Sequence, residues 1–160
     1  MITTRKATLE DLPILLEFEQ GIIDFERPYD YTLKEDRISY YDIKEMILAD
    51  DVEVIIAVDT TENTTINNQI IVGSGYARIE KAKPYLKHDT FVYLGFMFVA
   101  PTYRGKGINK LVIDALHTWA KSKNIFESRL EVYADNHGAI KAYQKTDFKS
   151  LIVRMRRSLL

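Results

Sequence analysis

The stretch Thr90–Val99, TFVYLGFMFV, gives way within eight residues to INKLVIDALHTWAKSK, residues 108–123. That switch constrains the fold more than any other feature of the chain. The first segment is apolar at nearly every position and short, as a strand covered on both faces is. The second carries Leu111, Ile113 and Leu116 at helical spacing, a stripe expected to be buried. Between them lies APTYRGKG, residues 100–107, with Arg104, Lys106 and two glycines at the mouth of the helix. A buried strand feeding an amphipathic helix through a short hinge belongs to a layered α/β architecture.

The remaining segments extend this reading. Residues 2–6 read as a strand, and TLEDLPILLEFEQGII as a helix, with Thr8 and Asp11 in an N-cap arrangement and Leu12, Leu15, Leu16 and Ile23 at helical spacing. After ERPYDY, a second helix fits KEDRISYYDIKEMILAD with Ile38, Tyr41, Met46 and Leu48 on its apolar face. VEVIIAVD is a strand by composition, TTENTTINNQ a polar turn region, and IIVGSGYARIEKA a strand bent around Gly73 and Gly75. Beyond the hinge helix, SRLEVYA reads as a strand, NHGAIKAYQKT as a short helix and FKSLIVRMRRSL as a last strand. The expected order is β-α-α-β-β-β-α-β-α-β. It forms one mixed sheet in a single domain spanning residues 1–160, antiparallel early and parallel late.

Composition excludes several chemistries. The chain has 160 residues with 22 Lys plus Arg against 23 Asp plus Glu, a net charge of -1. Such a balance supplies no bulk electrostatic footprint for nucleic acid. There is no cysteine, so a thiolate nucleophile and thiolate metal sites are ruled out. His88, His117 and His137 lack the spacing of a helical metal pair, and no metal is expected. No apolar run reaches the roughly 20 residues that cross a bilayer. No hydrophobic segment follows the basic residues of the N-terminus. The expected location is cytoplasmic, with no membrane partner.

The hinge has its own chemistry. The first amides of a helix lack internal partners and point outward at its positive end. Glycine permits close approach to that backbone, so Arg104, Gly105, Lys106 and Gly107 suit a phosphate or pyrophosphate. The segment matches neither the P-loop pattern nor the dinucleotide fingerprint. By itself this spacing leaves a phosphate ligand and a structural turn both open.

VAPTYRGKGINKLVIDAL resembles the acetyl-CoA loop of the GNAT superfamily of N-acetyltransferases, [Q/R]-x-x-G-x-[G/A], with Arg104, Gly107 and Asn109 in its fixed positions. Asn109 departs from the usual Gly or Ala. NHGAIKAYQKTDF resembles a second motif of the family through Asn136, Ala139, Tyr143, Lys145 and Phe148. Asp147 replaces a Gly there and tolerates a left-handed cap. The resemblance implies an α/β (α+β) fold, a GNAT-type mixed central sheet with splayed parallel strands flanked by helices. It implies acetyl-CoA as co-substrate, its pantetheine arm between residues 91–99 and 128–134. Backbone groups of Met97, Phe98 and Val99 would bond the arm, and amides from Arg104 through Gly105, Lys106, Gly107 and Ile108 to Asn109 the pyrophosphate. Asn136 and Tyr143 complete the implied cofactor set. Gly95 fits either close backbone approach or a simple bulge.

The implied reaction is direct attack of a primary amine on the thioester. Tyr143 matches the family's general acid. Glu131 and Glu26 are the candidate bases, and Tyr93, where several family members carry a Glu, is a candidate relay. Asp24, Glu26, Asp30, Arg27, Tyr29 and Tyr31 cluster in a segment that often walls the acceptor pocket. Carboxylates there suit an amine, and Arg27 a substrate carboxylate or phosphate. A small-molecule or peptide amine is the implied acceptor, and the family is compatible with a homodimer. Two other classes compete: a non-catalytic acyl-CoA sensor, and a phosphate-ligand or RNA-binding protein, the latter lacking RRM or KH signatures. His137 is given no chemistry, and RMRR near the C-terminus is expected at a solvated strand edge.

Overall fold

Strand β1 (Ile2–Lys6) pairs antiparallel with β2 (Val52–Asp59), β2 with β3 (Ile70–Lys81) and β3 with β4 (Thr90–Val99). A short β5 (Ser128–Leu130) joins β4 in parallel, so the sheet runs in chain order. The computed structural model describes residues 1–61 and 69–160, and most of the expected turn region at 60–69 lies outside the described residues. Helices α1 (Leu12–Glu26) and α2 (Ile43–Leu48) cover one face of the sheet. Helix α3 (Ile108–Ser122) covers the other and is the crossover that parallel pairing requires. Helix α4 (His137–Gln144) follows β5. No helix among the described residues is long and apolar enough to cross a membrane, and no group of metal-ligating side chains occurs among them.

Two covered faces explain why β2 is buried at every position. Val52, Val54, Ile56 and Val58 point to Leu15, Phe18, Ile22, Ile43 and Ile47 of α1 and α2. Ile55 and Ala57 point to Ile108, Val112, Ile113, Leu116 and Ala120 of α3. Each such aliphatic side chain, once fully buried, contributes roughly 1.5–3 kcal/mol. On α3 the buried ridge is Ile108, Val112, Leu116 and Ala120, joined by Ile113. The expected Leu111 is instead 41% exposed, because a one-residue step turns it about 100° off that ridge.

Local chemistry sets the element ends. The Asp11 carboxylate accepts from the Thr8 amide at 2.7 Å and from both arms of the Arg5 guanidinium at 2.8 and 2.9 Å. The Asp42 side chain caps α2 by accepting from the Glu45 amide at 3.1 Å. Asp147 takes φ +68° after α4, as expected for a residue standing where glycine is usual.

Three expectations are corrected. The second helix spans only Ile43–Leu48; residues 34–42 are a loop because other groups take their backbone bonds. Gln20 donates to the Ile38 carbonyl at 2.9 Å, and Glu19 accepts the amides of Tyr40 and Tyr41. The helix buries Ile43 and Ile47, while Leu48 is exposed. The strand expected at 128–134 ends at Leu130. The last strand does not form: residues 149–160 have no regular structure and are exposed, so RMRR lies on no sheet edge. Arg154 instead reaches Glu131 at 3.7 Å and Arg156 reaches Asp30 at 2.8 Å.

Candidate active site

The β4–β5 ladder contains three pairs, Val92 with Ser128, Tyr93 with Arg129 and Leu94 with Leu130. Beyond them β4 continues for five residues, Gly95–Val99, while β5 has ended. The two strands therefore part, leaving one edge of Met97, Phe98 and Val99 outside the ladder. Their side chains are fixed to either side of the gap. Met97 packs with the α3 core, and Phe98 packs on Phe18 with ring centroids 4.4 Å apart. A gap of this kind, with backbone groups along one wall, accepts an extended chain of amides.

The strand is also kinked where it parts. Phe96 has φ +56°, and β3 pairs Tyr76 with Gly95 but Ser74 with Phe98, so β4 carries an extra residue. The bulge lies one residue beyond Gly95. Gly95 itself answers to another demand: a Cβ there would stand 2.6 Å from the Tyr76 ring. Close approach at this residue is thus made by a tyrosine of β3.

The gap leads to the hinge. Pro101–Tyr103 form a single 3₁₀ turn, followed by Gly105 at φ +78° and Gly107 at φ +77°, the latter standing at the N-cap of α3. No atom lies within 4 Å of where a Cβ would sit on either glycine, so the hinge is an open cradle. Ile108 is buried and anchors the helix start, and Asn109 is half-buried in the first turn. Arg104 is exposed and its Nε donates to the Val99 carbonyl at 3.2 Å, which turns the loop back over the end of β4. The Lys106 ammonium stands 4.7 Å from the centre of the Tyr103 ring. Outward amides, two left-handed glycines and two cations fit a diphosphate.

Several phenols gather near the end of α1, Tyr93 packing with the α1 core and Tyr143 with the α3 core. Glu26 ends α1, half-buried, and burial raises its carboxyl above the usual range, against a smaller lowering by Tyr40. Tyr143 of α4 packs edge-on against Phe148 at 5.8 Å; burial, helped by the Glu26 charge, pushes its phenol up to about 12. Tyr93 is likewise pushed up to about 12, by burial first and then by Glu131 and Tyr76. The Arg78 guanidinium lies over the rings of Tyr76 and Tyr93 at 5.6 and 5.5 Å and pairs with Glu80 at 2.6 Å. Tyr133 stacks on Tyr29 at 5.7 Å, and burial followed by the Glu26 charge raises its phenol. Glu26 thus acts on the phenols of Tyr40, Tyr133 and Tyr143, while Glu131 is the stronger charge on Tyr93.

The other expected site residues are placed differently. Glu131 lies past the end of β5, its side chain 67% exposed and facing Arg154. Arg27 is turned onto the carbonyls of Lys34 and Asp36 and onto Asp24, so it is occupied in holding its own loop. Asp30 accepts from Thr32 and Arg156. Tyr31 is exposed beneath the Arg156 guanidinium, 4.1 Å from it. Asn136 caps α4 through its Oδ1, which accepts the Ala139 amide at 3.2 Å, so only its amide nitrogen is left to face a ligand. Glu19, Tyr40, Tyr41 and Tyr76 pack in the core beside this group, and the sequence reading gave them no part in the site. For Glu19 a signal existed: an acidic residue between Leu15, Phe18, Ile22 and Ile23 on the buried face of α1.

Comparison with known proteins bears on the family and the fold. The profile of the Acetyltransferase (GNAT) family matches residues 20–148. A Bacillus subtilis protein described as the uncharacterized N-acetyltransferase YycN is 35% identical over 94 residues. That match spans 59% of this chain and 58% of the relative's length. The tetramutant of the BH1408 protein from Bacillus halodurans superimposes with a TM-score of 0.83 at 18% identity, over 98% of this chain and 99% of that one. A predicted acetyltransferase from Clostridium acetobutylicum, crystallised with acetyl-CoA, superimposes with a TM-score of 0.70 at 22% identity, over 99% and 97% of the two chains.

Proposed function

Because the chain belongs to the Acetyltransferase (GNAT) family, we propose that it moves the acetyl group of acetyl-CoA to an amine, with Glu26 and Tyr143 handling the protons. The parting of β4 from β5 after Leu94, directly ahead of the glycine cradle, carries this reading. The backbone of Met97–Val99 holds the pantetheine arm, and the amides of Arg104–Asn109 with Lys106 hold the diphosphate. Asn136 contributes its free amide nitrogen. The thioester then lies on the phenol-lined side, between α1 and α4.

The acceptor nitrogen attacks the thioester carbonyl directly: a C–N bond forms, the C–S bond breaks, and no acyl-enzyme is needed in a chain without cysteine. Glu26 takes the proton that the nitrogen sheds. Burial raises its pKa, which favours it as a base. Tyr143 gives a proton to the departing sulfur. A phenol near 12 stays protonated at neutral pH, and it yields that proton only as charge builds on sulfur. Tyr93 belongs to the same group of phenols and relays or contacts the acceptor. A small-molecule or peptide amine is the acceptor class suited to carboxylates set among phenols.

Thiol release from acetyl-CoA, screened over polyamines, amino acids, aminoglycosides and peptides with free N-termini, tests the proposal. Release with at least one class, reduced on the order of 100-fold by Glu26→Gln and by Tyr143→Phe, is expected. Stabilisation by acetyl-CoA without release for any amine would identify a sensor and overturn the enzymatic reading.

A further inference from the structure

Ser74 of β3 is 0% exposed, and its Oγ donates to the Phe96 carbonyl at 3.0 Å. A hydroxyl so buried is out of reach of bulk water, so the fold sets its partner. The bond is diagonal: Ser74 stands opposite Phe98 in the ladder, and its side chain reaches back past Met97 to Phe96. It therefore spans the extra residue of β4. Phe96 takes φ +56°, a region that an aromatic residue occupies only when its surroundings hold it there. Its ring is held too, 2% exposed and 5.4 Å from the ring of Tyr41. Beside Ser74, a Cβ on Gly75 would stand 2.6 Å from the Met97 sulfur and 2.8 Å from Val112. The neighbours Ser74 and Gly75 are thus shaped to the kink of β4, one by a bond and the other by room.

We propose that Ser74 is a positioning residue: by gripping the Phe96 carbonyl it locks the kink and sets the direction of the Met97 amide. The Phe96 carbonyl and the Met97 N–H belong to one planar trans peptide and point opposite ways. With the carbonyl drawn to β3, the N–H is turned from β3, to the side that β5 leaves open after its last pair, Leu94 with Leu130. A donor fixed there before a ligand arrives spares the binding step the cost of ordering it. The inference rests on the reading that the backbone of Met97–Val99 holds the cofactor's arm. It adds what holds that backbone in turn: a side chain of the neighbouring strand.

The test compares, by titration calorimetry on the full chain, the binding of CoA with that of its nucleotide half, adenosine diphosphate 3′-phosphate, which carries no arm. In Ser74→Ala the affinity for CoA should fall about threefold to tenfold, the worth of one well-aimed hydrogen bond. Affinity for the nucleotide half, seated at the glycine hinge, should stay as it was. A general loosening of the fold would move both together. An unchanged ratio of the two affinities overturns the proposal. The unaltered protein gives a second reading that needs no variant to fold: the Met97 amide resonance should shift with CoA and stay in place with the nucleotide half. An amide that answers to neither, or to both alike, also overturns it. Failure of the underlying reading has a separate signature, since the unaltered protein would then bind CoA no more tightly than its nucleotide half.

Discussion

The Tyr103 phenol donates a 3.1 Å hydrogen bond to Oδ2 of Asp59, joining the turn ahead of the glycine hinge to the end of β2. Asp59 also accepts the Thr61 amide at 3.0 Å and the N-terminal ammonium at 3.4 Å. The hydrogen bonds from Thr61, followed by those from Tyr103 and the N-terminus, hold its carboxyl well below the usual range. Tyr103 in turn lies under the Lys106 ammonium. A residue 44 positions upstream thus fixes the platform on which the hinge cation rests.

Tyr103→Phe keeps the ring under Lys106 and removes the hydroxyl that donates to Asp59. The KM for acetyl-CoA should rise about threefold to tenfold with kcat nearly unchanged, corresponding to one hydrogen bond. Steady-state kinetics at saturating acceptor check this. An unchanged KM would show that the turn holds its place without Asp59.

Gly107→Ala isolates backbone strain, since the added methyl would meet no atom within 4 Å while φ is +77°. It should cost about 1–2 kcal/mol of stability, with Gly107→Asn milder because asparagine tolerates the left-handed region. Thermal melts should also show a smaller stabilisation by acetyl-CoA, because a relaxed hinge turns its amides away from the diphosphate.

Gly95→Ala works by contact. Its Cβ would stand 2.6 Å from the buried Tyr76 ring, at a residue whose own φ is open to alanine. Overpacking of this kind costs about 1–3 kcal/mol. Denaturant unfolding should show the loss, and Tyr76→Leu in the same chain should recover part of it by making room.

Alkaline pH should destabilise the fold through two of its phenols. Tyr93 and Tyr143 are held up to about 12, chiefly by burial, against roughly 10 for a phenol in an unfolded chain. Between those values the folded protein retains protons that the unfolded chain releases. The stability these phenols confer is complete below about pH 10 and is lost as pH climbs towards 12. Melting temperatures between about pH 8 and about pH 11 should fall, and Tyr143→Phe should flatten the fall. A slope unaffected by that change would assign the transition to other groups.

The strand and helix order up to α4 was legible in the chain because each segment carries its own period. Thr90–Val99 and the helix at 108–122 show this best, as does the glycine hinge between them. Glycine permits the left-handed conformation found at 105 and 107, and the turn into α3 is what selects it there. Where tertiary contacts compete with local preference, the sequence misled. Residues 34–42 have helical composition, but Glu19 and Gln20 take their backbone groups. FKSLIVRMRRSL has the composition of a strand, but in the described structure no neighbouring strand pairs with it.

The same division runs through the site. Arg104, Gly107, Asn136 and Tyr143 were readable as motifs, since a helix N-terminus that cradles an anion is built from consecutive residues. The burial of Glu26 and the exposure of Glu131 were not, because both depend on segments brought together by folding. Sequence alone determined the cradle and the order of elements around it. Only the folded chain decided that Glu26 is half-buried near these phenols while Glu131 is exposed towards Arg154, because the distances between α1, β4, the residues after β5 and α4 exist only once the sheet is assembled.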